Sequence, residues 1–342
     1  MRKRNFLLVA GVCLATLSLA VGSALADPSG TPTFRDLAGT GSDTTQGVMN
    51  SLSNDILIGG TKQIGSYDAA TTPGQTISTK STAACTNIPR PSGSDAGIQA
   101  LAADRVAGTH CLAFARSSTD NHTAHVGDHL TYVPFATDSV AYATLDTSAI
   151  PRNLTVSQLQ QVYNCTVTSG FTPLLPQFNS GTRKFFLRNI LGFTDSADYT
   201  TLHPCVSDKD PTNPANPLLE NTGNKLTSTT QIEPYAASSW IAQTSKNVTD
   251  VHGKTLLGNI GGINTLTLNS SAAGTRPVFN VLPNVLAANG PNSKAVFVGP
   301  GSSVCTDTAT ITKLGFATRS DCGSTLIQSD TSNGADTVGA GE

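Results

Sequence analysis

Charged side chains are scarce in this chain: Asp, Glu, Lys and Arg make up 13% of its 342 residues, and its formal net charge is −2. No basic stripe and no block of like charges occurs, which argues against binding to nucleic acid. A protein without a strong overall field must hold any anionic ligand by local donors. Short polar motifs are therefore the features of the sequence that bear on function.

Long apolar runs are absent after the first 26 residues, so no later segment is predicted to span a membrane. The chain begins with basic residues at positions 2–4, an apolar stretch and small residues at 24 and 26. This order predicts a signal peptide over 1–26, with an uncleaved anchor as the alternative. Because Val12, and not a small residue, precedes Cys13, we expect a secreted, extracellular chain without a lipid anchor.

No Cys-x-x-Cys spacing occurs, which disfavours a cysteine metal cluster. One of the seven cysteines lies in the predicted signal peptide. The even number that remains in an exported chain indicates disulfide bonds, although it leaves the pairing open. We expect bonds between neighbours in sequence, each closing one loop-rich region. These pairs are Cys85–Cys111, Cys165–Cys205 and Cys305–Cys322.

Signatures of catalysis are also missing. The chain has no Gly-x-Ser-x-Gly elbow and no serine with an evident His and Asp partner, which disfavours a hydrolase. A stretch with His122, His125, Asp128 and His129 is either a metal site or a solvated loop, and the lack of a helical pattern favours the loop. We expect no catalysis, no metal and no cofactor.

Among the motifs that are present, the one at 179–183 stands out, because an apolar helical pattern begins there. Asn179 or Ser180 can cap this helix, and Gly181 lets a ligand approach the backbone closely. Ser180 and Thr182 add hydroxyls, and Arg183 adds a positive charge in the first turn. Free N–H groups and the helix dipole make such a terminus suitable for an anion. An ordinary capped helix is the alternative.

Two further stretches repeat a glycine-serine-aspartate order, at 41–43 and 93–95, and each opens a helical pattern. Three helix N-termini directed at one point would form a cage for an oxyanion or another acceptor-rich ligand. Whether the three junctions converge depends on the tertiary fold.

Strands alternate with helices along the chain, which predicts an α/β fold. A short buried strand within 111–118 ends in polar residues, where ligands of α/β sheets usually lie. Further strands are predicted at 130–135 and 139–144. A helix follows, with a capping box formed by Thr155 and Gln158.

Taken in order, these motifs resemble the phosphate-binding component of ABC phosphate importers, which has a type 2 periplasmic-binding-protein fold. The likeness covers most of residues 36–245, and it rests on the order and spacing of the motifs. The motifs lie at 39–44, 94–98, 113–117, 133–135, 154–163 and 179–183.

The resemblance implies an α/β chain of two lobes with a ligand cleft between them. Lobe one would comprise 35–136 plus about 250–325, and lobe two 137–249. Residues 327–342 are rich in Ser, Asp and Gly and have no apolar pattern, which by itself predicts a flexible tail. It also implies a monomer that binds a small anion such as phosphate, and an ABC permease as a further partner.

The resemblance also implies a set of ligand-binding residues, and two positions depart from the family's pattern. Ser117 stands where the family has an aspartate that accepts a proton from phosphate, and Pro176 stands near the family's arginine. Asp43 or Asp95 would then accept the proton, and Arg116 or Arg183 would supply the charge. The implied set is Asp43, Thr44, Ser94, Ser117, Ser180, Gly181 and Thr182, with Arg116 and Arg183.

The sequence thus leads to a secreted solute-binding protein that clamps a small oxyanion, such as phosphate, without catalysis. The alternative is an extracellular interaction protein on the same fold that has lost the transport role. A secreted hydrolase is the third candidate.

Overall fold

Strands and helices alternate in the structure, as the sequence predicts for an α/β protein. The computed structural model describes residues 27–268 and 274–339, so the predicted signal peptide lies outside the described residues. The strands are β1 (Leu37–Gly41), β2 (Leu57–Ile58), β3 (Thr61–Lys62), β4 (Ile64–Ser66), β5 (Thr76–Ile77), β6 (Ile88–Pro89), β7 (Phe114–Ser117), β8 (Leu130–Leu145), β9 (Asn153–Leu154), β10 (Thr172–Pro173), β11 (Lys209–Asp210), β12 (Asn213–Pro217), β13 (Gln231–Ala236), β14 (Thr255–Ile260), β15 (Thr275–Pro283) and β16 (Ile327–Gln328). The α-helices are α1 (Gln46–Asp55), α2 (Ser94–Ala107), α3 (Val156–Tyr163), α4 (Gly181–Phe185), α5 (Tyr199–Leu202), α6 (Ala237–Thr244), α7 (Asn284–Asn289), α8 (Pro291–Phe297), α9 (Ser303–Thr306) and α10 (Thr308–Lys313).

The main sheet places two polar chain segments at one edge. Along its main path the strand order is β10-β13-β8-β15-β7-β1-β4, and β1 pairs in parallel with both β4 and β7. The carboxyl ends of parallel strands lie at the same edge of a sheet, where α/β proteins bind ligands. Ser42 follows β1 and Ser118 follows β7, so both serines lie at this edge.

The long strand β8 belongs to both lobes. Its first part pairs with β15, and its second part pairs with β13 and β14. The sequence predicts two strands here, at 130–135 and 139–144, but the structure has one of 16 residues. Asp138 lies between the predicted strands, is fully buried, and is bound by Arg276 and by the backbone N–H of Ser238. Because this polar residue is satisfied inside the protein, it does not end the strand.

Each lobe has its own hydrophobic core. The core of lobe one lies between the sheet and helices α1, α8 and α10, with Met49, Phe114 and Phe297 at its centre. The core of lobe two joins α3 to the segment that follows α4, and it contains Tyr163 and Phe186. A π-turn over Phe186–Ile190 continues α4 and supplies part of this core. The predicted capping box of α3 is present.

Two segments near the expected lobe boundaries pair as follows. β14 pairs with β9 and with the end of β8, whereas β15 pairs with β7 and with the first part of β8. Described residues of the expected flexible tail, 327–342, are held against lobe one. Strand β16 pairs with β8, and Asp336 forms an ion pair with Arg105 at 2.8 Å. Polar contacts anchor this segment, and such contacts leave no hydrophobic periodicity in the sequence.

Three disulfide bonds join the predicted neighbours, Cys85–Cys111, Cys165–Cys205 and Cys305–Cys322. Each bond closes a loop of moderate length and restricts the unfolded chain locally. Among residues 27–268 and 274–339, no helix has the length and hydrophobicity needed to cross a bilayer.

Candidate functional site

Serine hydroxyls from three separate loop ends meet between the lobes. Ser42 Oγ donates to Ser118 Oγ at 3.1 Å, and Ser94 Oγ lies 3.4 Å from the same oxygen. The backbone N–H of Ser118 donates to Ser94 Oγ at 3.1 Å. All three serines are fully buried. The turn after β1, the start of α2 and the turn after β7 therefore converge.

Lobe two reaches this point through the first turn of α4. A Cβ atom built on Gly181 would lie 2.4 Å from the Oγ atoms of both Ser94 and Ser118, so only glycine fits here. Ser180 caps the helix, as predicted, because its Oγ accepts from the backbone N–H of Arg183 at 3.0 Å. The three junctions that the sequence singled out thus come together, with Ser118 as the residue that links them.

Two threonines extend the site toward Glu220. Thr44 Oγ1 lies 3.2 Å from Thr182 Oγ1, and both hydroxyls donate to Glu220 Oε2. Asn221 Nδ2 in turn donates to Thr44 Oγ1 at 3.2 Å. We call the five side chains of Ser42, Thr44, Ser94, Ser118 and Thr182 the hydroxyl cluster.

Arg276 supplies a cation to the hydroxyl cluster. Its Nη2 donates to Thr182 Oγ1 at 2.9 Å, and its Nε and Nη2 bind Asp138 Oδ2 at 3.0 and 2.8 Å. The side chain is 1% exposed, and its Nη1 has no hydrogen-bond partner among the residues that the structure describes. A buried guanidinium with an unused donor beside a set of hydroxyls is suited to an anion.

Two carboxyl groups, those of Asp43 and Glu220, lie next to Thr44. Burial, together with the neighbouring Glu220 carboxylate to which it is hydrogen-bonded, raises the pKa of Asp43 well above its ordinary value. A like charge nearby and burial both disfavour the ionised form of a carboxyl group. The Asp43 carboxyl is therefore harder to ionise than an exposed aspartate.

Ser117, which the sequence predicts as a ligand-binding residue, lies outside the hydroxyl cluster. Its Oγ donates to the carbonyl oxygen of Thr119 at 2.8 Å and accepts from the N–H of the same residue. Successive side chains of a strand point to opposite sides, so Ser117 and Ser118 diverge at the end of β7. Ser118, the next residue along the chain, is the member of the hydroxyl cluster.

Arg183, which the sequence predicts as a ligand-binding residue, does not face the hydroxyl cluster in the structure. Its Nε donates to Asp195 Oδ1 at 2.9 Å, and its Nη1 donates to the carbonyl oxygen of Pro176 at 3.2 Å. Helical residues are spaced 3.6 to a turn, so a side chain one position after Thr182 points about 100° away from it. Arg183 thus binds the interior of lobe two.

Arg116 is also a supporting residue and not a cluster member. Its Nε donates to the carbonyl oxygen of Ser42 at 3.0 Å, and its Nη1 donates to that of Tyr67 at 2.7 Å. The guanidinium is fully buried, and burial lowers the pKa of Arg116 to about 10. Its contacts fix the backbone of the turn that carries Ser42.

Asp95 holds the lobes together. Its carboxylate forms an ion pair with Lys184 Nζ at 2.8 Å and accepts from Asn121 Nδ2 at 3.0 Å. The backbone N–H of Asp95 donates to the carbonyl oxygen of Asn179 at 3.2 Å, across the cleft. Arg188 adds a contact to Asn121 at 3.1 Å. These bonds define a closed arrangement of the two lobes.

Besides Ser118, three charged residues of the site were not found from the sequence. Glu220 lies in a Pro- and Asn-rich segment without periodicity, while Asp138 and Arg276 are single residues of β8 and β15. A charged residue inside an apolar strand is a signal that could have found Asp138 and Arg276, since buried charges require a partner.

Comparison with solved structures identifies the fold. Similar structures include a putative phosphate ABC transporter substrate-binding protein with bound phosphate from Clostridium perfringens, at 16% identity and a TM-score of 0.53 over 83% of this chain and 99% of that chain. Another is an ABC-type phosphate transport receptor from Vibrio cholerae, at 14% identity and a TM-score of 0.50 over 83% and 100%. A phosphate-binding protein from Stenotrophomonas maltophilia has 12% identity and a TM-score of 0.51 over 84% and 91%.

No protein-family model and no curated protein sequence matches this chain. The structural likeness therefore shows the fold: two α/β lobes of the type 2 periplasmic-binding-protein class with a cleft between them. This confirms, at the level of the fold, the resemblance that the sequence motifs indicated.

Proposed function

We propose that this protein is a secreted, non-catalytic solute-binding protein that closes on a small oxyanion, such as phosphate, at the hydroxyl cluster. The observation that carries the proposal is the meeting of Ser42, Ser94 and Ser118 with the backbone of Gly181. Hydroxyl groups and helix-terminal N–H groups bind anions without needing formal charges. Such donors suit a chain that has few charged residues.

Binding would require the lobes to separate and close again. The cluster hydroxyls now bond one another, and Gly181 lies directly against Ser94. Opening would break the contacts of Asp95 with Lys184 and Asn179, which then reform around the anion. Hinge closure about strands shared by two lobes, such as β8, is a usual motion of binding proteins.

The pair of Asp43 and Glu220 would select among oxyanions. Phosphate carries a hydrogen at neutral pH and needs an acceptor in a dry site, whereas fully ionised sulfate does not. The carboxyl pair retains acceptor capacity next to Thr44 and Thr182, and Arg276 balances its charge. We therefore propose that this pair accepts the hydrogen of phosphate, in place of the family's aspartate, whose position Ser117 occupies here. We also propose that phosphate is preferred over sulfate.

Thermal unfolding with and without millimolar phosphate or sulfate tests the proposal. A ligand of the native state raises the melting temperature by mass action. We expect phosphate to raise it in the unaltered protein and in Gly301→Ala, where an added Cβ meets nothing within 4 Å. We expect no rise in Gly181→Ala, where the added Cβ would overlap the oxygens of Ser94 and Ser118.

The second candidate function, an extracellular interaction protein, is favoured by one observation. The hydroxyls of the cluster already satisfy one another, as Ser42 and Ser118 do. If no oxyanion changes the melting temperature of the unaltered protein, the oxyanion proposal fails and this alternative gains support. A phosphate response that persists in Gly181→Ala would place the anion elsewhere.

A further inference from the structure

The two threonines of the hydroxyl cluster are oriented as hydrogen-bond donors. Thr44 Oγ1 accepts from Asn221 Nδ2 at 3.2 Å, and Thr182 Oγ1 accepts from Arg276 Nη2 at 2.9 Å. A hydroxyl group has one hydrogen, and each threonine gives this hydrogen to Glu220 Oε2. An anion that binds both threonines through unprotonated oxygens takes these two hydrogens away from Glu220.

The Glu220 carboxylate then needs two new donors. Glu220 is 3% exposed, and its other oxygen, Oε1, has no hydrogen-bond partner among the residues that the structure describes. An ionised carboxylate only accepts hydrogen bonds, and a buried acceptor that is left without a donor destabilises the complex. A ligand that returns two hydrogens to Glu220 is therefore favoured over one that returns fewer.

The protonation states of an oxyanion differ in the number of hydrogens that they can return. Sulfate carries no hydrogen at neutral pH and hydrogen phosphate carries one, whereas dihydrogen phosphate carries two. Dihydrogen phosphate thus replaces both of the donors that Glu220 loses. Its two hydroxyl groups also match the two oxygens of one carboxylate.

The charges around the hydroxyl cluster favour the same form of phosphate. Arg276 brings a positive charge, but it is bound to the carboxylate of Asp138. Arg116 is close enough to Asp43 to favour the ionised form of that carboxyl, and Glu220 lies on its other side. These residues supply two guanidinium groups and three carboxyl groups. A buried negative charge without a partner is costly, so a singly charged oxyanion is favoured over a doubly charged one.

We propose that the site binds phosphate as dihydrogen phosphate, with one negative charge and two hydrogens, in preference to hydrogen phosphate. This inference rests on the proposed function, since it specifies the form of the oxyanion that the hydroxyl cluster takes. The unprotonated oxygens of the ligand accept from Thr44 and Thr182, and its two hydroxyl groups donate to the Glu220 carboxylate. The affinity for total phosphate therefore falls as the pH rises through the second ionisation of phosphate.

Calorimetric titration with inorganic phosphate at pH 6 and at pH 8 tests the inference. We expect the affinity for total phosphate to be about five- to tenfold higher at pH 6, because binding is linked to the uptake of a proton. Titrations at pH 8 in two buffers with different heats of ionisation should show this uptake directly. An affinity that is equal or higher at pH 8 would overturn the inference and leave the proposed function standing. Absence of binding at both pH values would overturn the proposed function as well.

A matched pair of variants shows whether Glu220 is the acceptor. In Glu220→Gln the amide has one acceptor oxygen and one donor group, so hydrogen phosphate fits as well as dihydrogen phosphate, and the affinity ratio between pH 6 and pH 8 should fall below about twofold. Glu233→Gln is the control, because Glu233 is buried outside the hydroxyl cluster and its pKa is raised to about 8. The ratio should persist there. A ratio that persists in Glu220→Gln, or that is lost in Glu233→Gln, would contradict the role given to Glu220.

Asp43→Asn separates the protonation of the ligand from that of the protein. The pKa of Asp43 is raised by burial and by the neighbouring Glu220 carboxylate, so this carboxyl is the other titratable group beside Thr44. If the ligand carries both hydrogens, the affinity ratio between pH 6 and pH 8 persists in Asp43→Asn. Loss of the ratio in this variant would assign the pH dependence to Asp43 and overturn the inference.

Discussion

The hydroxyl cluster and the ion-pair network behind α4 lie within one helical turn of each other, but they are built from opposite chemistry. The hydroxyl cluster consists of neutral side chains that bond one another weakly. The network joins Arg183 to Asp195 at 2.9 Å and Lys184 to Asp95 at 2.8 Å, with every one of these side chains buried. The sequence predicts Arg183 as a ligand-binding residue, whereas in the structure its guanidinium belongs to this ion-pair network.

This difference shows how the fold separates stability from recognition. Removing one partner of a buried ion pair is costly, because the other charge stays buried with neither its partner nor water to stabilise it. A hydroxyl that bonds another hydroxyl can turn to a ligand at little cost. Changes in the network should therefore alter the free energy of unfolding, and changes in the cluster should alter affinity.

The largest expected effect comes from breaking the network. Arg183→Met leaves Asp195 buried without its main partner and should lower the free energy of unfolding by about 3–5 kcal/mol. Urea denaturation measures this loss. The double variant Arg183→Met with Asp195→Leu is the control and should recover most of it. A single variant as stable as the unaltered protein would contradict the role given to the network.

The buried carboxyl of Glu233 offers a second test, because it differs from the paired carboxylates of the network. Glu233 on β13 is 1% exposed, neither of its oxygens has a hydrogen-bond partner among the described residues, and burial raises its pKa from 4.5 to about 8. The folded state then binds the Glu233 proton more tightly than the unfolded state does. The free energy of unfolding is therefore expected to fall as the pH rises from 4.5 to 8.

Glu233→Gln removes this titration. Relative to the unaltered protein, the variant should become more stable by about 1.4 kcal/mol for each pH unit within that window. Urea denaturation at pH 5, 6, 7 and 8 measures the difference. A difference that stays constant with pH would show that the Glu233 carboxyl does not titrate in this range.

Neighbouring serines at the end of β7 test the cluster itself. Ser118→Ala removes a hydroxyl that contacts Ser42 and Ser94, and it should weaken phosphate binding by about tenfold, the value of one hydrogen bond to an anion. Ser117→Ala is the matched control, because the Ser117 hydroxyl bonds to the backbone of Thr119 and lies outside the hydroxyl cluster. Calorimetric titration measures the two affinities. An equal loss of phosphate affinity in both variants would contradict the assignment of Ser118, and not Ser117, to the hydroxyl cluster.

The smallest expected effect concerns selectivity. Glu220→Gln makes the carboxyl pair a weaker acceptor, so the ratio of phosphate to sulfate affinity should fall a few-fold. Titrations with both anions at one pH give this ratio, with Asn216→Ala, on β12, as control. An unchanged ratio would exclude Glu220 from the choice between the anions.

Local motifs were sufficient for part of this site. The sequence singled out Ser94 and Gly181, which the structure brings into contact, because helix starts have short sequence signatures that reflect unpaired N–H groups. The sequence did not distinguish Ser117 from Ser118, because the exact end of a strand decides which side chain faces the cleft and a sequence pattern locates strand ends only approximately.

Arg276, Asp138 and Glu220 needed the structure, since each meets its partner from a distant part of the chain. Asp138 and Arg276 lie on neighbouring strands, and Glu220 accepts from threonines 176 and 38 residues away. No spacing along the chain encodes such pairs.

By itself, the sequence determined the α/β class and the helix starts, because these follow from hydrophobic periodicity and capping residues, and it favoured disulfide bonds between neighbouring cysteines without fixing the pairing. Only the tertiary structure decided that Ser42, Ser94 and Gly181 converge on Ser118 and that Arg183 turns away from them. The reason is that convergence depends on the parallel pairing of β1 with β7 and on the closure of two lobes around β8, and both arise from contacts between residues far apart in the chain.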